Sequence, residues 1–511
     1  MDTPLRPASL ILGASLALGI TADALLRVFP PGLNAALWFL LLLASPAFLA
    51  RRLNHALVGG WKLVAALGAA CALSLAWRDS PVLRFFNVAG ALGGCALMAT
   101  RTSSRGLRDS TLFELAHAIL VHIVHATAGA GFLVAGEVFP RGGEKKGRRM
   151  IPSLLRGLAV ALPFLLLFGS LFAAADATFE HLAGRLFEAD FASLFVHLAV
   201  TGSVAWVAAG FLRGSIVAEE VPAPATLRET FLSLGIIEVG VLLGLLDALF
   251  LLFVVLQIPY LFGGATTVAA TASLTFAGYA RRGFFELTGV ACCTIVTLLL
   301  ADWILRKDSR RSVILFRSLA GVNLLLLGAI MISAWQRLLL YQGAYGLTEA
   351  RLYAAAALTG MGLVAVWFAL SVLAGRRSRF VFGSILCAYA VVLALDVINP
   401  DALIARIDMA RASEGKPIDL RYLATLSADA TPELLGGPVA LTAPDRGGIS
   451  RELIRRNDSN NAQDWRTWNF SRTRALAAIL RNPDSSVTPG KTASPSQQQE
   501  DTSCTRSSGS R

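Results

Sequence analysis

Runs of roughly twenty apolar residues recur along this chain up to about residue 398, and no other feature constrains its fold as tightly. At 1.5 Å per residue each run is long enough to cross the ~30 Å hydrocarbon core of a bilayer as a helix. Inside that core every backbone polar group must be paired within the protein, so repeated runs of this length predict a helical bundle. The composition agrees, with 55% hydrophobic and 16% charged residues, where a soluble domain carries about a quarter charged. The expected fold is all-α: a polytopic helical membrane protein with about eleven transmembrane helices and a short helical extracytoplasmic C-terminal region.

The runs fall at about 8–28, 33–50, 57–77, 81–100, 151–175, 190–213, 230–257, 283–305, 313–336, 351–374 and 380–397. The first, after Arg6, reads as an uncleaved helix rather than a signal peptide, because further spans follow it. The expected domains are four spans in 1–108, a cytoplasmic amphipathic helix and basic loop in 109–150, and a seven-span membrane core in 151–398. A small helical region follows in 399–481, then a disordered Ser/Thr/Gln/Pro-rich tail in 482–511.

The formal net charge of +12 belongs mostly to the membrane part; from Asn399 onward the balance is only about +2. Its basic residues gather in short loops: Arg51 and Arg52; Arg101, Arg105 and Arg108; Arg141 to Arg149; Arg306 to Arg311; Arg376 to Arg379. With the N-terminus in the cytoplasm, all of these lie on the inner side, as the positive-inside rule requires, and the C-terminal region lies outside. That arrangement predicts a multi-pass protein of the bacterial inner membrane, with the lipid bilayer as partner, a possible envelope protein partner, and no nucleic acid.

Two apolar segments are left without a crossing by this count. Residues 112–134, with Glu114, His117, His122 and His125, read as an amphipathic helix on the cytoplasmic surface or tucked among the spans. Residues 263–280 read as an outer-surface helix or a re-entrant segment, since a crossing there would move two strong basic clusters outside.

Ionisable groups within spans are the best clue to a working site, since each costs about 2.5–3.5 kcal/mol or more at the bilayer centre. Asp247 lies near the middle of its span. Glu238 shares the helix but lies nine residues away, which at ~100° per residue puts it on the opposite face. Arg317 and Asn323 are available as partners, and Asp302 and Arg317 flank a short turn where a hairpin ion pair is plausible. At the outer face, Arg281, Arg282 and Glu286 form an elbow before the eighth span. The stretch around Glu349 reads first as interfacial anchoring, although Glu349 near Arg281 or Arg282 would form an outer network. The candidate polar site is therefore Asp247, Glu238, Arg281, Arg282, Glu286 and Glu349.

Other constellations read more plainly. His122 and His125 would need ligands from another helix to bind a metal. His181, with Asp176, Glu180, Glu188 and Asp190, reads as a solvated loop. Cys71, Cys95, Cys292, Cys293 and Cys387 lie in apolar runs without CxxC or zinc spacing. GxSxG, HExxH, Walker A and dinucleotide fingerprints are absent. No enzyme, metal or cofactor is expected.

After residue 398, Asn399 is placed to cap a helix, with Pro400 in its first turn and Asp401 at its positive end. The stretches GYARRGFFEL, YQGAYGLTEARLYA, INPDALIARIDMARASEGKPIDLRYLATLSADATPELL and DWRTWNFSR together resemble a bacterial membrane-protein family, domain of unknown function 4173, related to domain 4153. The resemblance spans roughly Arg149 to Leu480 and implies a multi-pass membrane protein with a short helical C-terminal part. It implies no activity and no catalytic residues. The expected function is a non-enzymatic structural, scaffolding or sensing role, presenting the C-terminal helices to the envelope. The alternative is a transporter or channel-like protein with an intramembrane acidic site.

Overall fold

The computed structural model describes residues 5–57, 59–99, 106–133, 189–217, 234–262, 284–306, 309–436 and 464–481, with Gly157 and Ala161. Among these residues the ordered elements are helices and no strand forms. The expected span at 151–175 apart from Gly157 and Ala161, the segment at 263–280, Arg281 and Arg282, the loop around His181 and the tail from 482 lie outside the described residues.

Among the described residues eleven helices build the membrane part: α1 (Leu5–Leu26), α2 (Leu33–Arg52), α3 (Trp61–Trp77), α4 (Pro81–Ala99), α5 (Leu112–Phe132), α6 (Ala189–Ile216), α7 (Ile236–Phe262), α8 (Phe284–Ile304), α9 (Arg310–Tyr345), α10 (Glu349–Phe368) and α11 (Phe380–Ile398). Ten of them are long and apolar enough to cross a membrane, and α3 is a shorter apolar helix. Their ends carry the expected signals. Thr111 and Glu114 form a reciprocal capping box at the start of α5, and the Ser309 hydroxyl caps α9. Gly346, with φ of +80°, closes α9; it faces Asp408 at 2.8 Å from where a Cβ would sit, so both backbone and space require glycine there.

The helices pack as two groups. Helices α1 to α6 share a core that includes Ile11, Leu49, Leu75 and Leu212. Helices α7 to α11 share a second, built around Leu243, Leu298, Phe316 and Phe368 and continued by Phe250, Ile330 and Leu358. The groups meet where α4 faces α11. There the Tyr389 hydroxyl donates to the Gly90 carbonyl at 2.6 Å and Asn87 donates to Asp396 at 2.9 Å.

Helix α5 lies along α6 in the antiparallel sense. Gly129 meets Gly210 backbone to backbone, and the Trp206 indole donates to the Thr127 carbonyl at 2.8 Å. Small residues of this kind let helix axes approach closely in lipid. No crossing was expected of this segment, yet α5 is one of the ten helices long and apolar enough to span.

Helix α9 runs for 36 residues, about 54 Å at 1.5 Å per residue, and so outreaches a ~30 Å hydrocarbon layer. The sequence suggested a span only at 313–336. The excess carries its last turns to the level of the C-terminal region, which forms a cap over one end of the bundle.

The cap comprises α12 (Pro400–Ser413), α13 (Leu420–Leu423), a 3-10 turn at Ala428–Ala430, α14 (Thr431–Gly436), a second 3-10 turn at Trp465–Thr467 and α15 (Phe470–Leu480). As anticipated, Asn399 begins α12, with its side chain accepting from the Ala402 amide at 3.5 Å. Its left-handed backbone also ends α11, so one residue turns the chain from membrane to cap. Ile404, Met409, Leu423, Leu426 and Leu434 form the cap's own core, together with Leu347 from the α9–α10 turn.

Candidate functional site

The densest buried polar cluster lies between the cap and the bundle, and Asp429 is its hub. One carboxylate oxygen accepts from the backbone amides of Asp79 at 2.7 Å and Ser80 at 3.2 Å, and the Ser427 hydroxyl lies 3.3 Å from it. The other accepts from Ser471 at 2.5 Å and pairs with the Arg78 guanidinium at 3.4 Å. Three separated segments therefore converge on one side chain: the α3–α4 turn, the turn before α14, and the start of α15. Both ion-pair partners are almost wholly buried, with side-chain exposures of 7% for Arg78 and 0% for Asp429.

Arg78 also ties the second helix group to this hub. Its Nε donates to the Asp396 carbonyl at 2.6 Å, another nitrogen donates to the Val397 carbonyl at 3.4 Å, and the guanidinium stacks on Trp77. Those carbonyls close α11, where a cation complements the helix dipole. A planar guanidinium can reach all three acceptors from a fixed fork while lying flat on the Trp77 ring; a lysine ammonium would lose the fork and the stacking.

The stretch from Asp464 to Arg472 acts as a strap. Asn469 caps α15 and donates to the Leu75 and Arg78 carbonyls, the Ser471 hydroxyl also lies 2.9 Å from the Trp77 carbonyl, and Arg466 reaches the Ala24 carbonyl. Arg472 bonds the Pro31 carbonyl and pairs with Asp79, which also pairs with Arg84. Burial raises the Asp79 carboxyl above its ordinary range even against these two arginines, and it lowers Arg472 below its own. At Gly32 a Cβ would press on the Trp468 carbonyl at 2.5 Å, which fixes how closely the strap lies on the α1–α2 turn.

A second set of contacts clamps the α9–α10 turn. Asp408 accepts from the Leu347 amide at 2.9 Å, and Tyr422 accepts from the Glu349 amide at 2.8 Å. Arg411 donates to the Gly343 and Ala344 carbonyls, and Arg351 donates to the Tyr345 and Gly346 carbonyls. Positive charge thus closes the C-terminal end of α9.

The sequence-derived residues are dispersed. Asp247 is buried on α7 and accepts from Asn323 of α9 at 2.9 Å, one of the partners anticipated for it. Glu238 is exposed one face away, as the spacing required. Glu286 is exposed at the start of α8, and Glu349, half-buried, opens α10 beside Tyr422 of the cap. The anticipated Asp302–Arg317 hairpin pair does not form. Asp302 pairs with Arg377 of the α10–α11 turn at 3.2 Å, while Arg317 packs against Gly375. The reason is depth: the α10–α11 turn brings a cation to the carboxylate's own level. The rings of His122 and His125 stand 6.3 Å apart, and no group of three metal-type ligands occurs among the described residues.

The hub itself was not anticipated. Arg78, Asp79 and Asp429 lie in turns, where charge is ordinary, and nothing in their local sequence marks burial. The available signal was indirect: the family-like stretches at 341–354, 398–435 and 464–472 supply most of the contacts that dock the cap.

The helices and their apolar lengths define a polytopic α-helical membrane protein. Comparison with family models matches residues 63–436 to Domain of unknown function (DUF4153). The chain belongs to that family, the one given above as related to domain 4173. The match includes the α3–α4 turn and Asp429 and ends before the strap. Neither a curated protein nor a solved structure matches the chain.

Proposed function

We propose that this chain is a non-enzymatic scaffold of the bacterial inner membrane, whose cap joins two helical groups and presents a fixed outer surface to an envelope partner. The hub at Asp429 carries this reading, because a buried ion pair with three further donors holds the cap in one register. Trp465, Trp468 and Phe470 stand exposed on the strap, the residue types enriched at recognition surfaces. The end opposite the cap carries Arg51, Arg52, Arg108, Arg306, Arg310, Arg311, Arg376, Arg377 and Arg379, which supports a cytoplasmic assignment for that end and an extracytoplasmic cap. The test is a photo-crosslinking residue at Trp465 in intact cells, with buried Ile479 as control. One discrete envelope-protein adduct is expected, lost in Asp429→Ala. Adducts to lipid alone, or an adduct unchanged by that substitution, would sink the reading.

A second reading rests on the α7–α9 seam. Beyond Asp247 and Asn323, the same two helices bring Gln257 within 2.6 Å of Arg337 and 3.4 Å of Ser333. The two polar stations lie ten residues apart, about 15 Å along the helix. If the seam conducts protons, Asp247→Asn should abolish flux into proteoliposomes followed with a pH-sensitive dye. Equal flux in both proteins would remove Asp247 from any such pathway.

A further inference from the structure

Asp401 differs from Asp79 and Asp429, the ion-paired acids of the latch that joins the cap to the bundle. It is fully buried, yet among the described residues no lysine or arginine pairs with it. One carboxyl oxygen accepts from the Ser427 amide at 3.2 Å and from the Ser427 hydroxyl, and the other has no partner. The same hydroxyl lies 3.3 Å from Asp429. A hydroxyl has one proton to donate, so it cannot serve two carboxylates together. Asp429 has Arg78 and two backbone amides to hold its charge; Asp401 has a single backbone amide and no cation. The groups facing Asp401 add to the imbalance, with Asp429 across Ser427 and Glu349 from α10, both like charges. Tyr353 of α10 and Tyr422 of α13 also face it. On its own helix, Arg406 is engaged with Glu433 and does not reach it. The positive end of α12 favours the anion and offsets part of this cost.

We propose that Asp401 is a proton-binding site that couples acidity on the cap side of the membrane to the closure of the cap: its neutral carboxyl fits the closed latch, and its anion loosens it. This rests on the docked cap of the preceding reading. Burial, followed by the charges of Glu349 and Asp429, pushes the Asp401 carboxyl up to about 6, against the lowering effect of Ser427. The sign follows from proton binding. The closed state holds the proton more tightly than the open one, where the carboxyl returns to about 4, so opening increases as pH rises through the interval between these values. Between pH 5 and pH 8 the opening constant should rise about tenfold.

Hydrogen exchange at the Asp79 and Ser80 amides, measured from pH 5 to pH 8 and corrected for intrinsic exchange, reads this opening in the full chain. Wild type should show the rise, and Asp401→Asn should show a smaller slope with the cap still protected. Ser427→Ala, which removes a donor to the ionised form, should move the midpoint to higher pH. An unchanged slope in Asp401→Asn, or an unmoved or lower midpoint in Ser427→Ala, overturns the proton site. Amides unprotected at every pH would instead overturn the docked cap itself.

Discussion

Asp429→Ala is expected to release the cap, with a loss of about 3–5 kcal/mol, the range for removing one partner of a buried ion pair. The substitution removes the counter-charge of Arg78 and leaves two backbone amides without their acceptor, while the Ser471 hydroxyl can turn to the Trp77 carbonyl. Each amide is a desolvated donor, and such groups cost more unpaired than they contribute when paired. Thermal unfolding in nanodiscs should show the loss, and hydrogen exchange should rise together at Asp79, Ser80 and the α15 amides. Asp429→Asn keeps an acceptor and should lose less. Exchange confined to the strap, with the α3–α4 turn still protected, would show that Asp429 is not the hub.

The second large effect is steric. A Cβ at Gly210 would land on the His125 carbonyl oxygen and 2.7 Å from that of Ala126, both of them α5 backbone. Backbone cannot rotate away as a side chain can, so Gly210→Leu must force α5 and α6 apart. The expected cost is about 3 kcal/mol or more, at the upper end for overpacking, with loss of the monodisperse species in size-exclusion chromatography. Gly202 lies on the same helix with open space where its Cβ would be, and Gly202→Ala should behave as wild type. Normal behaviour of Gly210→Leu would mean that α5 does not pack on α6 in the membrane.

These two sites mark what the sequence made legible and what it did not. Lipid accepts few solutions, so the helical architecture could be read from apolar run length alone. Asp247 stood out because a lone carboxylate in an apolar run has an evident cost, and its Asn323 partner could be named from the depth of the neighbouring span. The latch gave no such signal. Arg78, Asp79, Asp401 and Asp429 sit where a chain leaves the membrane, and charges there are unremarkable until folding buries them. Bringing residues 78–80 to residues 427–429 and 469–472 is a property of the tertiary structure, across sequence separations of about 350 residues or more. The Asp302 pairing shows the same limit, since the nearer arginine in sequence was not the nearer one in space.

The length of α9 has a mechanical consequence. Its far end is gripped by Arg411, and the turn that follows it is held by Asp408 and Tyr422, so the helix works as a ruler with the cap fixed to its tip. The cap's height is set by the count of helical residues rather than by the thickness of the surrounding lipid. A bilayer that thickens or thins must tilt the ruler against α1 to α6, and the Arg78–Asp429 pair spans the joint where that tilt would concentrate.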